Sequence, residues 1–285
     1  RSTILLYWNK AMFREAGLDP DHAPQNWQEM VRLARQLERK DAKQRITRQG
    51  IAIPATGFAY WLLQGMVTGR GARLMNATGT QTYFDDPQVV AALNDWVQLW
   101  QSGNAQPEKL TEWRAVSEDF LAEKTAMLWT SSGNLAHLQQ QAKFDFGVAM
   151  LPGTGWHGSP TGGGNLYLLQ GSSPAQQRAA LTLVQWLVSP QHTAAWSVAS
   201  GYIAVNPAAY QTELMRAQLA KFPAAALAKN QLDFAVPELS THFNQRVTGA
   251  LNDAIVAALS GEQSAQSALQ QAQARAVKIL LPYQR

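Results

Sequence analysis

The sequence predicts an α/β fold, and three observations lead to that prediction. Short apolar segments alternate with longer segments whose apolar residues recur at helical spacing. The chain has 285 residues, of which 46% are hydrophobic and only 15% charged, so it can bury a sizeable core. The unbroken run of about 18 apolar residues that a membrane-spanning helix requires is absent from the sequence. Strands separated by helices in a chain of this length indicate one large or two ordinary α/β domains.

The predicted strands are short apolar segments bounded by turn residues such as glycine, proline, asparagine and serine. They cover residues 3–8, 50–54, 125–129, 146–151 and 166–169. Because so few polar residues interrupt them, we expect most of these strands to be buried.

The predicted helices begin at capping residues or at proline and carry an apolar face. The clearest start is Asn26, which Glu29 follows at the spacing of a capping box. The predicted helices cover residues 10–16, 27–37, 58–68, 86–100, 117–123, 134–141, 174–188 and 190–200, and most of 208–285.

The basic character of the chain is local. Its formal net charge is +4, yet the segment 32–48 alone holds seven Lys and Arg residues against two acids. A nucleic-acid interface would need a wider basic face with groove-entering or aromatic elements. We therefore interpret the segment as the solvated end of a helix and its loop, and predict no nucleic-acid partner.

Several kinds of catalytic and cofactor site are missing from the sequence. The chain has no cysteine, and its five histidines lie far from metal-ligand spacing, so no metal site is predicted. Gly153, Gly155 and Gly158 match a dinucleotide fingerprint, but Pro160 follows and the required acid is absent, so no cofactor is predicted. Paired acids such as Asp85 and Asp86 stand at helix starts, where they are typical charges of a first turn.

A long stretch without any Asp or Glu extends over residues 146–212. Its glycine amides and serine hydroxyls could donate hydrogen bonds to phosphate or carboxylate oxygens without repulsion from a neighbouring acid. The alternative interpretation, an apolar packed lobe, explains the same stretch equally well.

Five sequence blocks in register resemble one known family. They are Leu6-Tyr7-Trp8-Asn9-Lys10 with the Phe13–Asp19 and Asn26–Glu29 strings, Phe120–Met127, Phe146–Pro152, Trp186-Leu187 with Trp196, and Ser200–Asn206. Together they resemble the extracellular solute-binding proteins of ABC importers, in the family that binds sugars and glycerol phosphate. The resemblance covers nearly the whole chain, although Ala204 and Lys124 replace a proline and a glycine that are usual in the family.

Within that family, the strings at residues 130–136, 162–164 and 244–246 resemble the members that bind glycerol 3-phosphate. The resemblance implies a ligand site in which five residues surround the phosphate and two aromatic residues face the glycerol end. These residues are Ser2, Ser131, Gly163, Tyr202 and Arg246 at the phosphate, and Phe58 and Trp61 at the glycerol.

Each implied role has a structural alternative. Phe58 and Trp61 could pack in the core, Arg246 could form a structural ion pair, and Ser131 could stabilise a turn. Phe58 also stands where the family usually has a tryptophan, which alters the fit of a ligand on that side.

The resemblance further implies a two-lobed periplasmic-binding-protein fold of type II. Residues 1–150 would form the second lobe, 151–215 would cross back into the first lobe, and 216–285 would be C-terminal helices of the second lobe. The family pattern begins with a segment on the order of a hundred residues, most of the first lobe, that has no match here. We expect either a fragment of a longer chain or a protein with an incomplete cleft.

The implied function is capture of sn-glycerol 3-phosphate or a glycerophosphodiester in the periplasm by lobe closure. The protein would act as a monomer without cofactors, and its partners would be that small phosphorylated polyol or sugar and the membrane permease subunits of an ABC importer. Three alternatives stay open: a neutral sugar or oligosaccharide as the ligand, a carbohydrate hydrolase with two facing carboxylates, and an adaptor or sensor that keeps the fold without transport.

Overall fold

The computed structural model describes residues 1–104, 110–153 and 158–284, and within them four of the five predicted strands are present at least in part, together with three short strands that were not predicted. The strands are β1 (Ile4–Asn9), β2 (Arg39–Lys40), β3 (Ile46–Ala52), β4 (Thr125–Ser131), β5 (Phe146–Met150), β6 (Ser159–Pro160) and β7 (Ala235–Val236). Predicted strand 50–54 overlaps only the buried end of β3, whose polar first half the hydrophobic pattern missed.

The helices follow the prediction within a few residues. They are α1 (Lys10–Glu15), α2 (Trp27–Leu37), α3 (Ala59–Thr68), α4 (Pro87–Leu99), α5 (Val116–Leu121), α6 (Leu135–Gln141), α7 (Pro174–Leu187), α8 (Pro190–Ser200), α9 (Glu213–Lys221), α10 (Leu227–Asn230), α11 (Asn244–Leu259) and α12 (Ala265–Leu280). None of the helices in the described ranges is long and apolar enough to cross a membrane.

The predicted cap of α2 is present, although its reciprocal contact differs from a capping box. The Asn26 side chain accepts a hydrogen bond from the Glu29 amide at 2.8 Å. The Glu29 carboxylate, however, accepts from the amide of Gln25 at 2.9 Å, one residue before the cap. The helix start is therefore fixed from both sides, because two otherwise unpaired amides gain acceptors.

A five-stranded mixed sheet forms the centre of the fold, in the order β2-β3-β4-β1-β5. Strand β1 pairs antiparallel with both β4 and β5, whereas β3 and β4 are parallel. All residues of β1 and β4 are buried, because helices cover both faces of the sheet. The predicted α/β class is confirmed.

Alternate residues of β1 feed two different cores, as the two-residue period of a strand requires. Ile4, Leu6 and Trp8 belong to the larger core, formed with α2, α3, α4, α11 and α12. Leu5 and Tyr7 point to a smaller core with α5, α6 and α10. This strand therefore contributes side chains to both cores.

The segment that follows β6 is packed very differently. Residues 166–169 were predicted to be a strand, and this prediction is wrong, because they form no regular secondary structure. Their side chains are 47–77% exposed, and no described strand lies beside them to supply hydrogen bonds. Helix α7 likewise buries none of its residues.

The basic segment is a surface feature, as expected. Arg39 and Arg48 both pair with Glu15, and Arg45 pairs with Asp41. These groups lie beyond the end of α2 and on the hairpin of β2 and β3. Their charges therefore meet acids of the same surface.

Candidate functional site

A cavity of about 320 Å³ opens beside one end of the central sheet. Its volume lies at the lower end of the range typical of small-molecule sites. It is lined by Ser2, Phe58, Trp61, Trp113, Ser131, Gly133, Asn134, Gly162, Gly163, Gly164, Tyr202 and Glu238.

Six of the seven residues that the family resemblance implied lie together around this cavity. They come from distant parts of the chain: the residues just before β1, the start of α3, the end of β4, and the loops after β6 and α8. They are Ser2, Phe58, Trp61, Ser131, Gly163 and Tyr202.

The seventh, Arg246, is not among the lining residues. It lies exposed in the first turn of α11, and its guanidinium lies over the ring of Phe243 at 5.9 Å from the centroid. Phe243 itself has a left-handed backbone, with φ of 48°. In this conformation Arg246 contacts an aromatic ring at the start of its own helix rather than the cavity.

The wall nearest β1 is fixed by backbone pairing between Ser2 and Gly162. The Ser2 amide donates to the Gly162 carbonyl at 3.1 Å, and the Gly162 amide donates to the Ser2 carbonyl at 2.8 Å. A Cβ at residue 162 would lie 2.7 Å from the Ser2 hydroxyl oxygen and 3.0 Å from the Trp61 ring. The lack of a side chain at residue 162 therefore lets the two chain passes and the indole come this close to each other.

Small polar groups line the end of the cavity near β4. The Ser131 hydroxyl accepts a hydrogen bond from the Gly133 amide at 3.0 Å, so it stabilises the turn, while its proton is still available to a ligand. A Cβ at Gly133 would lie 2.3 Å from the Tyr202 ring, which packs directly on this turn. Gly163, with φ of +116°, continues the wall in a conformation that favours glycine.

Aromatic rings form the other end. The rings of Phe58 and Trp113 meet edge to face at 5.2 Å, and those of Trp61 and Trp113 do so at 5.9 Å. Trp61 is buried, whereas Phe58 is 49% exposed although it belongs to this cluster. An exposed ring next to packed rings offers a face to an apolar or cationic ligand group.

A carboxylate stands beside these rings. Glu238 accepts a hydrogen bond from the Tyr60 hydroxyl at 2.5 Å, and the Tyr60 ring lies 6.4 Å from that of Phe58. Burial and the neighbouring Glu238 raise the pKa of the Tyr60 hydroxyl well above its usual value. Tyr60 therefore stays protonated and holds the carboxylate in place as a donor.

The sequence analysis did not identify Trp113 and Glu238 as site residues, and it named Asn134 only within the string at residues 130–136. Neither Trp113 nor Glu238 belongs to a recognisable motif, and only the folded topology brings Glu238, just after β7, next to Phe58 and Tyr60. Among the described lining residues, Glu238 carries the only charged side chain, so the two facing acids of a hydrolase are not formed by them.

The glycine motif at residues 153–158 lies partly outside the described residues, which leave out 154–157. Its last member, Gly158, lies where a Cβ would come within 2.4 Å of the Thr68 side chain. Gly158 is therefore a packing glycine against α3.

Comparison with known proteins places these features in context. A family model described as bacterial extracellular solute-binding protein matches residues 1–225. The sn-glycerol-3-phosphate-binding periplasmic protein UgpB of Pectobacterium atrosepticum is 30% identical over 240 residues, which are 81% of this chain and 52% of that protein. The chain thus spans about half the length of the curated relatives that it matches.

Solved structures agree over almost the entire chain. UgpB from Mycobacterium tuberculosis in complex with glycerophosphocholine superposes with a TM-score of 0.84 at 25% identity, covering 99% of this chain and 70% of that one. Maltose-bound MalE3 of T. maritima gives 0.80 at 20% identity, covering 99% and 71%. A part of each solved chain therefore has no counterpart here.

Proposed function

This chain belongs to the bacterial extracellular solute-binding protein family and has the type II periplasmic-binding-protein fold, and from this premise we propose that it captures a small phosphorylated polyol. The solute would be sn-glycerol 3-phosphate or a glycerophosphodiester, bound in the periplasm and delivered to the permease of an ABC importer. One observation carries the proposal: six residues implied by the resemblance line a single cavity.

The chemistry of that cavity suits a phosphate held by neutral donors. The hydroxyls of Ser2, Ser131 and Tyr202 and the backbone around Gly163 are close to one another. Such donors can bind phosphate oxygens without neutralising the charge completely, so the ligand can also leave. Arg246 would add a charge-assisted contact if the first turn of α11 turned toward the cavity.

Capture would work by bridging. Ser131 ends strand β4 of the sheet and Trp61 lies in α3, whereas Gly163 and Tyr202 belong to the segment after β6. We propose that residues 1–150 and 216–285 form one lobe and that 151–215 lead into the other. A ligand that contacts both parts stabilises the arrangement in which they approach each other.

A neutral sugar or oligosaccharide is the second candidate, and Glu238 is the observation that favours it. A carboxylate next to aromatic rings is a good acceptor for sugar hydroxyls, and indole faces stack on the C–H groups of a sugar ring. The cavity lining holds no basic side chain among its described residues that would prefer an anion.

Calorimetric titration with glycerol 3-phosphate, its choline diester and maltose tests these alternatives. Tyr202→Phe removes one hydroxyl and keeps the ring, and we expect it to weaken the binding of the phosphate compounds by about tenfold. Tyr167→Phe is the matched control, because Tyr167 is 77% exposed and does not line the cavity. Arg246→Ala shows whether that guanidinium reaches the ligand.

The outcomes separate clearly. Binding of a phosphate compound that Tyr202→Phe weakens and Tyr167→Phe preserves would support the proposal. Binding of maltose alone, insensitive to Tyr202→Phe and Arg246→Ala, would move the protein to the neutral-sugar candidate. Silence toward all three ligands would contradict both.

A further inference from the structure

A second cavity, of about 540 Å³, borders the second half of α3. Its volume lies within the range typical of ligand sites, and it shares no lining residue with the candidate ligand cavity. We call it the hairpin groove, because one of its walls is a hairpin and the other is the end of β7. It is lined by Gln64 and Thr68 of α3 and by residues 71–77 and 233–237.

The first wall has a free strand edge. The Tyr83 amide donates to the Leu74 carbonyl at 2.9 Å, and the Asn76 amide donates to the Gln81 carbonyl at 3.0 Å. Met75 lies between these two bonds, at a position of the antiparallel pair whose own backbone groups point outward. Its amide and carbonyl have no hydrogen-bond partner among the described residues.

The second wall also has a free strand edge. Strand β7 pairs with β6 on one side, where the Thr161 amide donates to the Val236 carbonyl at 2.9 Å. Within the described ranges this sheet has only these two strands. The carbonyl of the neighbouring residue, Ala235, therefore points to an edge without a partner strand.

Helix α3 holds the second wall in place. The Gln64 side chain donates to the Pro237 carbonyl at 2.9 Å and accepts from the Leu239 amide at 2.8 Å, just after β7. The ring of Phe234, which also lines the groove, is 39% exposed. The groove thus combines apolar surface with backbone groups whose positions are fixed before any ligand arrives.

Two side chains of opposite charge line the groove, Arg73 and Asp233. Both are exposed, and neither forms an ion pair in the described part of the chain. They are complementary to a ligand that carries both an acidic and a basic group, because each charge then gains a partner. Their exposure also leaves the groove open to solvent, so a longer chain can continue beyond it.

We propose that the hairpin groove binds an extended peptide segment of a partner protein, which adds a strand at these free edges. Pairing with the backbones of Met75 and Ala235 supplies affinity, as in other cases of β-strand addition. An acidic side chain of the segment lies near Arg73 and a basic one near Asp233. The proposal is independent of the proposed function, because the two cavities share no lining residue.

The probes are two five-residue peptides with blocked ends, EVTVK and its reverse KVTVE, because a strand can enter the groove in either direction. A fluorescent label on the peptide reports its binding to the full 285-residue chain by anisotropy. We expect the preferred peptide to bind about tenfold more tightly than the same peptide N-methylated at both valines, because a methylated amide cannot donate to a strand edge.

Arg73→Glu reverses the charge on the first wall. We expect it to weaken the binding of the preferred peptide by about tenfold, and replacing the glutamate of the peptide by lysine should restore the binding. Arg178→Glu, at an exposed cation that does not line the groove, is the matched control and should leave binding unchanged.

Failure of both peptides to bind at about 1 mM would overturn the proposal. Equal binding of the N-methylated peptide would overturn strand addition. A loss that Arg178→Glu reproduces would indicate general electrostatic attraction and would overturn the site as well. The same peptides with free ends are titrated in parallel, and binding that requires free ends would indicate a free oligopeptide instead of a protein segment.

Discussion

Helices α3 and α7 come from the same chain and differ completely in their surroundings. All ten residues of α3 are buried, and the helix packs against β6, α4 and α11, whereas none of the fourteen residues of α7 is buried. Yet α7 is well started: Ser173 and Gln176 form a reciprocal capping box, and Pro174 occupies the first turn. Local signals are thus sufficient to define the start of a helix, whether or not that helix packs against the rest of the protein.

We call the five-stranded sheet with the helices of its two cores the sheet body, which comprises β1–β5, α2–α6 and α10–α12. We call residues 165–188 the exposed segment. The exposed segment presents apolar side chains that a packed helix would bury, including Leu181, Leu183 and Trp186 at 44–56% exposure. Patches of this kind mark interaction surfaces in folded proteins. Matched substitutions in the two regions test whether they differ in solution as they do in the structure.

The largest effect is expected from removing the same side chain in the two helices. Leu62→Ala in α3 empties a fully buried site and should reduce the free energy of unfolding by about 2–5 kcal/mol. Leu183→Ala in α7, where leucine is 56% exposed, should change it by less than about 0.5 kcal/mol. Chemical denaturation measures both, and equal losses would show that α7 is buried in solution.

The next effect concerns the point where α8 meets the sheet body. Gly201 ends α8 with φ of +87°, and a Cβ there would lie 2.4 Å from the carbonyl oxygen of Ser132. Gly201→Ala should therefore cost about 1–3 kcal/mol of stability. Gly171→Ala, at a position with open space around it, is the control and should have little effect. A harmless Gly201→Ala would mean that the two parts are not fixed to each other there.

A smaller, local effect is expected at the start of α7. Ser173→Ala removes the cap and should lower the local opening free energy of this helix by about 1 kcal/mol, visible as faster hydrogen exchange. The midpoint of global unfolding should stay unchanged, because none of the residues of α7 is buried. Asn26→Ala, which removes the cap of the packed helix α2, should instead move the midpoint. Equal behaviour of the two variants would contradict the distinction.

The smallest expected effect concerns the loss of stability at acid pH. Residues 146–212, which include the exposed segment, contain no Asp or Glu, so the side-chain carboxyl groups responsible for this loss lie in the rest of the chain. The Arg48 guanidinium lowers the pKa of the Glu15 carboxyl below its usual value. A carboxyl whose pKa is lower in the folded than in the unfolded state stabilises the folded protein at pH values above the unfolded-state pKa. This contribution is lost as the pH falls through the folded-state pKa.

Glu15→Gln should therefore make thermal stability slightly less sensitive to pH in the acid range. Because Glu15 is 51% exposed, the effect is small. Glu262→Gln, at an exposed acid without an ion pair in the described part of the chain, serves as control. A larger change in the control than in Glu15→Gln would refute the assignment.

The sequence predicted the fold well where local pattern and packing agree. Strands β1 and β4 are largely apolar, because both faces are buried, and the pattern identified them. The prediction failed for residues 166–169, since a strand needs a neighbour and the pattern alone cannot show whether one exists.

For the candidate site, the resemblance to the solute-binding family identified residues that the properties of single chain segments could not. Ser2, Ser131 and Tyr202 look like ordinary turn and loop residues until the fold brings them together. Glu238 and Trp113 were missed because neither belongs to a recognisable motif, and only the three-dimensional arrangement places them in the cavity. Whether any of these residues binds a ligand stays a prediction.

The start of β1 is crossed by several distant chain passes at one place. The Ser2 and Gly162 backbones pair with each other, the Ser132 amide donates to the Thr3 carbonyl at 2.9 Å, and the Ile203 amide donates to the Arg1 carbonyl at 2.6 Å. These bonds join three distant passes of the chain to residues 1–3, and Ser2 and Gly162 also line the cavity. The cavity wall and the adjoining end of the central sheet are therefore one hydrogen-bonded unit, and a displacement of either must be shared by the other.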